Sequence, residues 1–163
     1  MDFTHTVPFE TTARVRDTCL CLHTQRAARI LARRFDAALK PTGLTNEQFS
    51  LLMALNRPNP ASMNELAYLL GADRTTLTAA LKPLIRHGMA ETRTDDNDRR
   101  VRRVALTAEG RSRLWDALDI WSRAHGAVEA ELEGANFDHL RSDLRQLSGL
   151  ISSPVVSPAG GTQ

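Results

Sequence analysis

Apolar residues along this chain recur at helical spacing over most of its length, and the exception is one short interval past the middle. From about Asp17 to Lys40, Ala28, Leu31, Phe35, Ala38 and Leu39 build a single apolar stripe, which predicts a helix. Pro41 and Gly43 stop it. Thr45-Asn46-Glu47-Gln48 has the form of a capping box, in which the Thr45 hydroxyl accepts a downstream amide and Gln48 reaches back. Phe49, Leu52, Met53 and Leu55 then predict a short helix ending before Pro58 and Pro60. Ser62-Met63-Asn64-Glu65 repeats the capping logic and opens another short helix, with Leu66, Leu69 and Leu70 facing inward and a break at Gly71. Asp73 is placed to cap a third helix, from Arg74 to about Arg86, closed by Gly88.

The period changes after Gly88. Met89 to Thr94 and Val101 to Leu106 alternate in part, and the turn-rich acidic cluster Asp95-Asp96-Asn97-Asp98 separates them, which predicts a β-hairpin. Thr107 caps a long helix in which Leu114, Leu118, Trp121, His125, Val128 and Leu132 form a seam of the coiled-coil kind. Gly134 interrupts it, and Phe137, Leu140, Leu144, Leu147 and Ile151 carry a similar seam into a last helix. Residues 1–16 have no strong period and are expected to form a flexible N-terminal arm, and the Ser/Pro/Gly-rich residues 152–163 a disordered tail. The fold class is mostly α with a small β-hairpin.

Composition narrows the function without deciding it. At 163 residues, 42% hydrophobic and 25% charged, the chain suits one globular domain. It has no apolar run of about 18 residues, and its first residues lack an apolar signal core, so a cytoplasmic protein without a membrane partner is expected. There is no Gly-rich phosphate loop, no metal-binding His/Cys spacing and no nucleophile with a recognisable base. No enzyme, cofactor or metal site is therefore expected. The net charge of +2 says less than the distribution of arginine, which is dense in residues 26–34 and 93–111.

Two short helices joined at a glycine, the second opening with polar residues, have the form of a helix-turn-helix. In the second, Leu77, Leu81, Leu84 and Ile85 share the face that must pack on the core. Arg74, Thr75, Thr78 and Lys82 are left on the other face, with Thr76 at the margin, within reach of a phosphate. Arg can bond guanine bidentately, Thr can donate, accept or touch a thymine methyl, and Lys neutralises phosphate. Taken alone, the same face also reads as the solvated side of a core helix. The hairpin decides for recognition: Asp98, Arg99 and Arg100 sit at its tip, with Arg93, Arg102 and Arg103 on the flanking strands. Arginine on a thin projection can enter the narrow minor groove, where the potential is most negative. Asp98 is read as a clamp on the neighbouring guanidinium.

Residues 62–110 resemble the winged-helix core of the multiple-antibiotic-resistance (MarR-type) regulators. The resemblance rests on Asp98-Arg99-Arg100 followed by Leu106-Thr107-Ala108-Glu109-Gly110, and Gly43-Leu44-Thr45 with Gln48-Phe49 is similar to the family's junction between its first two helices. It covers the chain from about Thr18 to Ile151. It implies a homodimeric transcriptional regulator, a repressor, whose two winged lobes grip a pseudo-palindromic operator in double-stranded DNA. Residues 17–44 and 111–151 would form the dimerisation helices and residues 45–110 the winged helix-turn-helix lobe. Arg100 would be the minor-groove arginine, Asp98 its orienting partner, and Arg74, Thr75, Thr76 and Thr78 would lie on the recognition helix. The two C-terminal seams independently call for more burial partners than one small lobe supplies. One departure is Pro83, which removes a hydrogen bond to Ala79 inside the recognition helix and is expected to kink it. The rival reading is a helical protein–protein interaction module without sequence-specific DNA binding.

Two inputs could control such a regulator. One is a small phenolic or amphipathic acid, the effector class the resemblance implies, for which His23, Arg26, Trp115 and Trp121 are suitable pocket residues. The other is thiol oxidation at Cys19 and Cys21, near the start of the first predicted helix. Cys21 resembles the reactive cysteine of the family's organic-peroxide sensors, although Gln25, Phe35 and Phe49 stand where those sensors use tyrosines. On a continuous helix, residues two apart point about 200° away from each other, so a bridge between these two thiols is not expected there.

Overall fold

The computed structural model describes residues 6–95, 98 and 100–149; the remainder of the arm and tail, Leu150, Ile151, Asp96, Asn97 and Arg99 lie outside the described residues. Helix α1 (Phe9–Thr18) precedes α2 (Leu20–Leu39), which leads through a 3-10 turn over Lys40–Thr42 into α3 (Asn46–Leu55). Strand β1 (Ala61–Ser62), α4 (Met63–Leu70) and α5 (Arg74–Arg86) follow. The hairpin strands β2 (Ala90–Thr94) and β3 (Arg102–Leu106) then lead to α6 (Ala108–Glu131) and α7 (Phe137–Leu147).

The local signals account for most boundaries. Both capping boxes are formed: Thr45 with Gln48 at α3, and Ser62 with Glu65 at α4. Asp73 caps α5 and Thr107 caps α6 through side-chain acceptors. The left-handed φ of Gly71 (62°) closes α4, a conformation that costs glycine nothing and other residues about 1 kcal/mol. Pro83 does not end α5, which is helical through Arg86.

The core sits where α2, α3, α4, α5 and α6 meet the sheet. Leu39, Leu51, Leu52, Leu66, Leu77 and Leu84 are fully buried there, joined by Val104 and Leu106 from β3 and by Leu114 and Ala117 from α6. The sheet has the order β1-β3-β2 and is antiparallel, with Ala61 opposite Val104 and Arg93 opposite Arg103. Gly110, in the first turn of α6, allows that helix to cross the base of β2. A Cβ there would stand 2.0 Å from the Met89 carbonyl oxygen and 2.8 Å from a Leu106 methyl.

Several expectations are corrected. Residues 9–16, expected in a flexible arm, are helical as part of α1, with Glu10 in the first turn and Arg16 in the last, the charge order the helix dipole favours. The helix expected from Asp17 onward is broken at Cys19, whose backbone is extended (φ −74°, ψ 105°) and which caps α2. The two-residue strand β1 extends the hairpin into a three-stranded sheet. Met53, Leu69, Ile85, Leu118 and Leu132, placed on inward faces, remain substantially exposed. Among the described residues no helix is long and apolar enough to cross a membrane.

Candidate nucleic-acid interface

Helix α5 is anchored by its buried leucines, Leu77, Leu81 and Leu84, which leave Arg74, Thr75, Thr76, Thr78 and Lys82 on the exposed side. Its entry is rigid. Asp73 accepts the Thr76 amide at 2.8 Å and the Thr76 hydroxyl at 2.7 Å, and these bonds hold the Asp73 carboxyl below its ordinary range. The hydroxyl proton of Thr76 is thus committed to the cap. Thr78 donates its own to the Arg74 carbonyl at 2.6 Å, which leaves its methyl group and an oxygen lone pair facing outward.

The wing is organised by its backbone. Asp95 and Val101 close the turn, the Asp95 N–H donating to the Val101 carbonyl at 3.0 Å. Asp98 donates its amide to the Asp95 carboxylate at 3.0 Å and accepts the Arg100 amide at 2.9 Å. Asp98 therefore orients Arg100 through the main chain, where a clamp on the guanidinium had been expected. Strand alternation sends the neighbouring arginines to opposite faces. Arg102 is exposed, with one guanidinium nitrogen 3.2 Å from the Thr94 hydroxyl. Arg103 turns into the scaffold and pairs with Asp95. Arg93 pairs with Glu91. Arg99 lies outside the described residues.

Arg74 from α5 and Arg100, Val101 and Arg102 from the wing line a single cleft, floored by Ser62, Met63 and Asn64 at the start of α4. Among the described residues no ion pair engages Arg74, Lys82 or Arg100, so their charges are available to an external anion. The side chains that sequence reasoning did not bring to this face are Ser62 and Asn64. Nothing local marks them, because it is the fold of β1 against β3 that carries them beside the wing.

The two candidate input regions lie elsewhere. His23 and Arg26 are exposed on α2, and Trp115 is 78% exposed on α6 of the single chain. Trp121 is the aromatic that lines an apolar recess, with Phe49, Ser50, Met53, Ala54, Leu69 and Leu70. It stacks on Phe35 (6.5 Å between ring centres) and Phe49 (5.9 Å), and His125 lies tilted against it (4.9 Å). Cys19 accepts the Leu22 amide at 3.5 Å and is half-buried, while Cys21 is exposed and accepts from the Gln25 side chain at 3.2 Å.

A cationic helix seated beside a basic antiparallel hairpin, both fixed to one helical core, is a winged helix-turn-helix DNA-binding lobe. The family model described as the MarR family matches residues 42–101. The transcriptional repressor MprA of Escherichia coli strain K12 is 31% identical over 126 residues, 71% of this chain and 70% of that protein. The transcriptional activatory protein BadR of Rhodopseudomonas palustris is 34% identical over 96 residues, 57% of this chain but only 54% of its own length. The crystal structure of the Mycobacterium tuberculosis transcriptional regulator MosR in complex with DNA superposes with a TM-score of 0.72 at 37% identity, covering 81% of this chain and 95% of that one. The chain belongs to the MarR family of transcriptional regulators, and its class is a DNA-binding regulator and not an enzyme.

Proposed function

We propose that the chain acts as a homodimeric transcriptional repressor in the cytoplasm that grips a pseudo-palindromic operator. The recognition helix would enter the major groove and Arg100 the adjacent minor groove. The observation that carries this reading is the shared cleft of Arg74, Arg100 and Arg102, none of them in an ion pair among the described residues, spanning the gap between recognition helix and wing. An unpaired arginine sheds no protein partner on meeting a phosphate, so its full counterion-release effect goes into binding.

Dimerisation is supported by α7. It contains no buried residue, yet Leu140, Leu144 and Leu147 stand on it 45%, 44% and 60% exposed. A helix of this length is marginal alone, and burying each leucine contributes roughly 2 kcal/mol, so a second copy is the natural cover. α1, also without buried residues and carrying Phe9 and Val15, offers a second such surface.

Two inputs are consistent with this arrangement. The recess around Trp121, with one hydroxyl at Ser50, suits a flat aromatic effector such as a phenolic acid. The helix break at Cys19 removes the objection that a continuous helix would raise against joining Cys19 and Cys21. A hydroperoxide could oxidise both thiols to a disulfide, leaving an alcohol and water. The deciding experiment is a titration of duplex DNA from upstream of the chain's own gene, with wild type and Arg100→Ala compared over a range of salt. The variant should bind about tenfold more weakly with a shallower salt slope; equal binding by both proteins would refute the reading. Adding peroxide or a phenolic acid to the same titration separates the two inputs.

A further inference from the structure

We propose that Arg103 is a positioning residue for DNA binding: it struts the wing against the first helix of the helix-turn-helix and so sets where Arg100 meets the duplex. This rests on the DNA-binding reading above. Arg103 occupies the central strand at a level where it faces Arg93 on one side and Ser62 on the other. Its guanidinium is gripped at three points. Nε meets the Asp95 carboxylate, and Nη1 lies 3.2 Å from the Pro60 carbonyl and 3.5 Å from Glu65 Oε2.

Each partner extends the chain of contacts in a different direction. Asp95, whose side chain is only 9% exposed, also accepts the Asp98 amide at 3.0 Å, and Asp98 in turn accepts the Arg100 amide. Glu65 accepts the Ser62 amide at 2.6 Å as the reciprocal half of the α4 capping box, and its other oxygen lies 3.6 Å from Arg57. A polar path therefore runs from the Arg100 amide through Asp98, Asp95, Arg103 and Glu65 to the N-terminus of α4. The base of the hairpin is fixed in the core by Ala90, Val104 and Leu106, while β1, which pairs with β3 on the α4 side, is only two residues long. The outer half of the hairpin, beyond that anchored base, is a two-stranded ribbon without core contacts of its own and would otherwise bend. The planar fork of an arginine, with donors set at fixed angles, resists that bending in a way a lysine cannot.

The next residue shows the division of labour. Arg102, on the opposite face of the same strand, lines the cleft with Arg74 and Arg100, whereas Arg103 is withdrawn from it. One arginine faces the ligand and its neighbour holds the element that carries it.

The test is a pair of double-mutant cycles on the full chain, using a fluorescein-labelled duplex of the upstream intergenic DNA. Arg100→Ala is measured in the wild-type and Arg103→Ala backgrounds, and Arg74→Ala in the same two. The Arg100→Ala cost, about tenfold in the wild type, should shrink to about twofold once Arg103 is gone. The Arg74→Ala cost should be unchanged, because α5 is held by its own leucines. Arg103→Lys should behave like Arg103→Ala. Should Arg103→Ala fail to fold, Glu65→Gln is used in its place, since it keeps the capping acceptor and removes the charge that faces Arg103 and Arg57. Strictly additive costs in both cycles, or coupling to Arg74 as strong as to Arg100, overturns the proposal while leaving DNA binding standing. No binding by the wild type overturns both.

Discussion

The Asp98 carboxylate accepts the main-chain N–H of Arg100 at 2.9 Å, so the wing tip is shaped by an acidic side chain acting on backbone. Because the acceptor is one oxygen, Asp98→Asn keeps it and Asp98→Ala does not. The Asn variant should bind DNA within about threefold of wild type and the Ala variant about tenfold more weakly, the worth of one hydrogen bond to an ionised group. An Asn variant as weak as the Ala variant, in the same titration, would restore a charge-based role for Asp98.

Gly110 is required by close approach and not by backbone angle. Gly110→Ala drives a methyl into the Met89 carbonyl, and since that atom is backbone the hairpin base or α6 must shift. The expected loss is about 3 kcal/mol, a fall in thermal midpoint of several degrees. An unchanged midpoint by calorimetry would show that the two elements separate freely.

Acid should weaken the lobe through Glu65. Hydrogen bonds from Ser62, then the nearby Arg57 and Arg103, hold its carboxyl below the ordinary value of 4.5. A lowered folded-state value means that the unfolded chain binds the proton first. The contribution is therefore present above pH 4.5 and is lost as pH falls through the lower folded value. Melting curves from pH 7 down to about 3 should show a decline below the glutamate range that Glu65→Gln makes shallower. A parallel decline in both proteins would assign the effect to other carboxylates, such as Glu131, which Arg34 holds low across α2 and α6.

Leu144 on α7 tests the dimer surface. Leu144→Asp exchanges an apolar contact for a charge. It should weaken self-association about a hundredfold in sedimentation equilibrium, with far-ultraviolet dichroism little changed. A variant that stays dimeric at the wild-type concentration would move the interface elsewhere, and α1 would be the next surface to examine.

The features legible in the sequence are those whose cause lies within a few residues. The boxes at Thr45 and Ser62, the Asp73 and Thr107 caps, and the acidic turn between two short alternating runs each announce an element boundary locally. What stayed hidden depends on distant partners. β1 exists because β3 passes beside it, and Arg103 differs from Arg102 because Pro60 and Glu65 lie behind the sheet. Both arginines look alike as residues. The two tryptophans differ for a related reason: nothing in the spacing shows that Trp121 stacks with Phe35 and Phe49 while Trp115 is exposed. The helical state of residues 9–16 was missed because α1, with no buried residue, has no periodic stripe to read.

Two copies of this chain, on the proposed reading, place a recognition helix and a wing in successive grooves of one duplex. Sedimentation velocity of the protein–DNA complex, with hydroxyl-radical footprinting of the same sample, measures both the stoichiometry and the grooves covered. Two chains per duplex and two protected half-sites about one helical turn apart are expected, each flanked by a protected minor groove that opens in Arg100→Ala. A duplex saturated by a single chain, or minor-groove protection that survives the loss of Arg100, would contradict that reading.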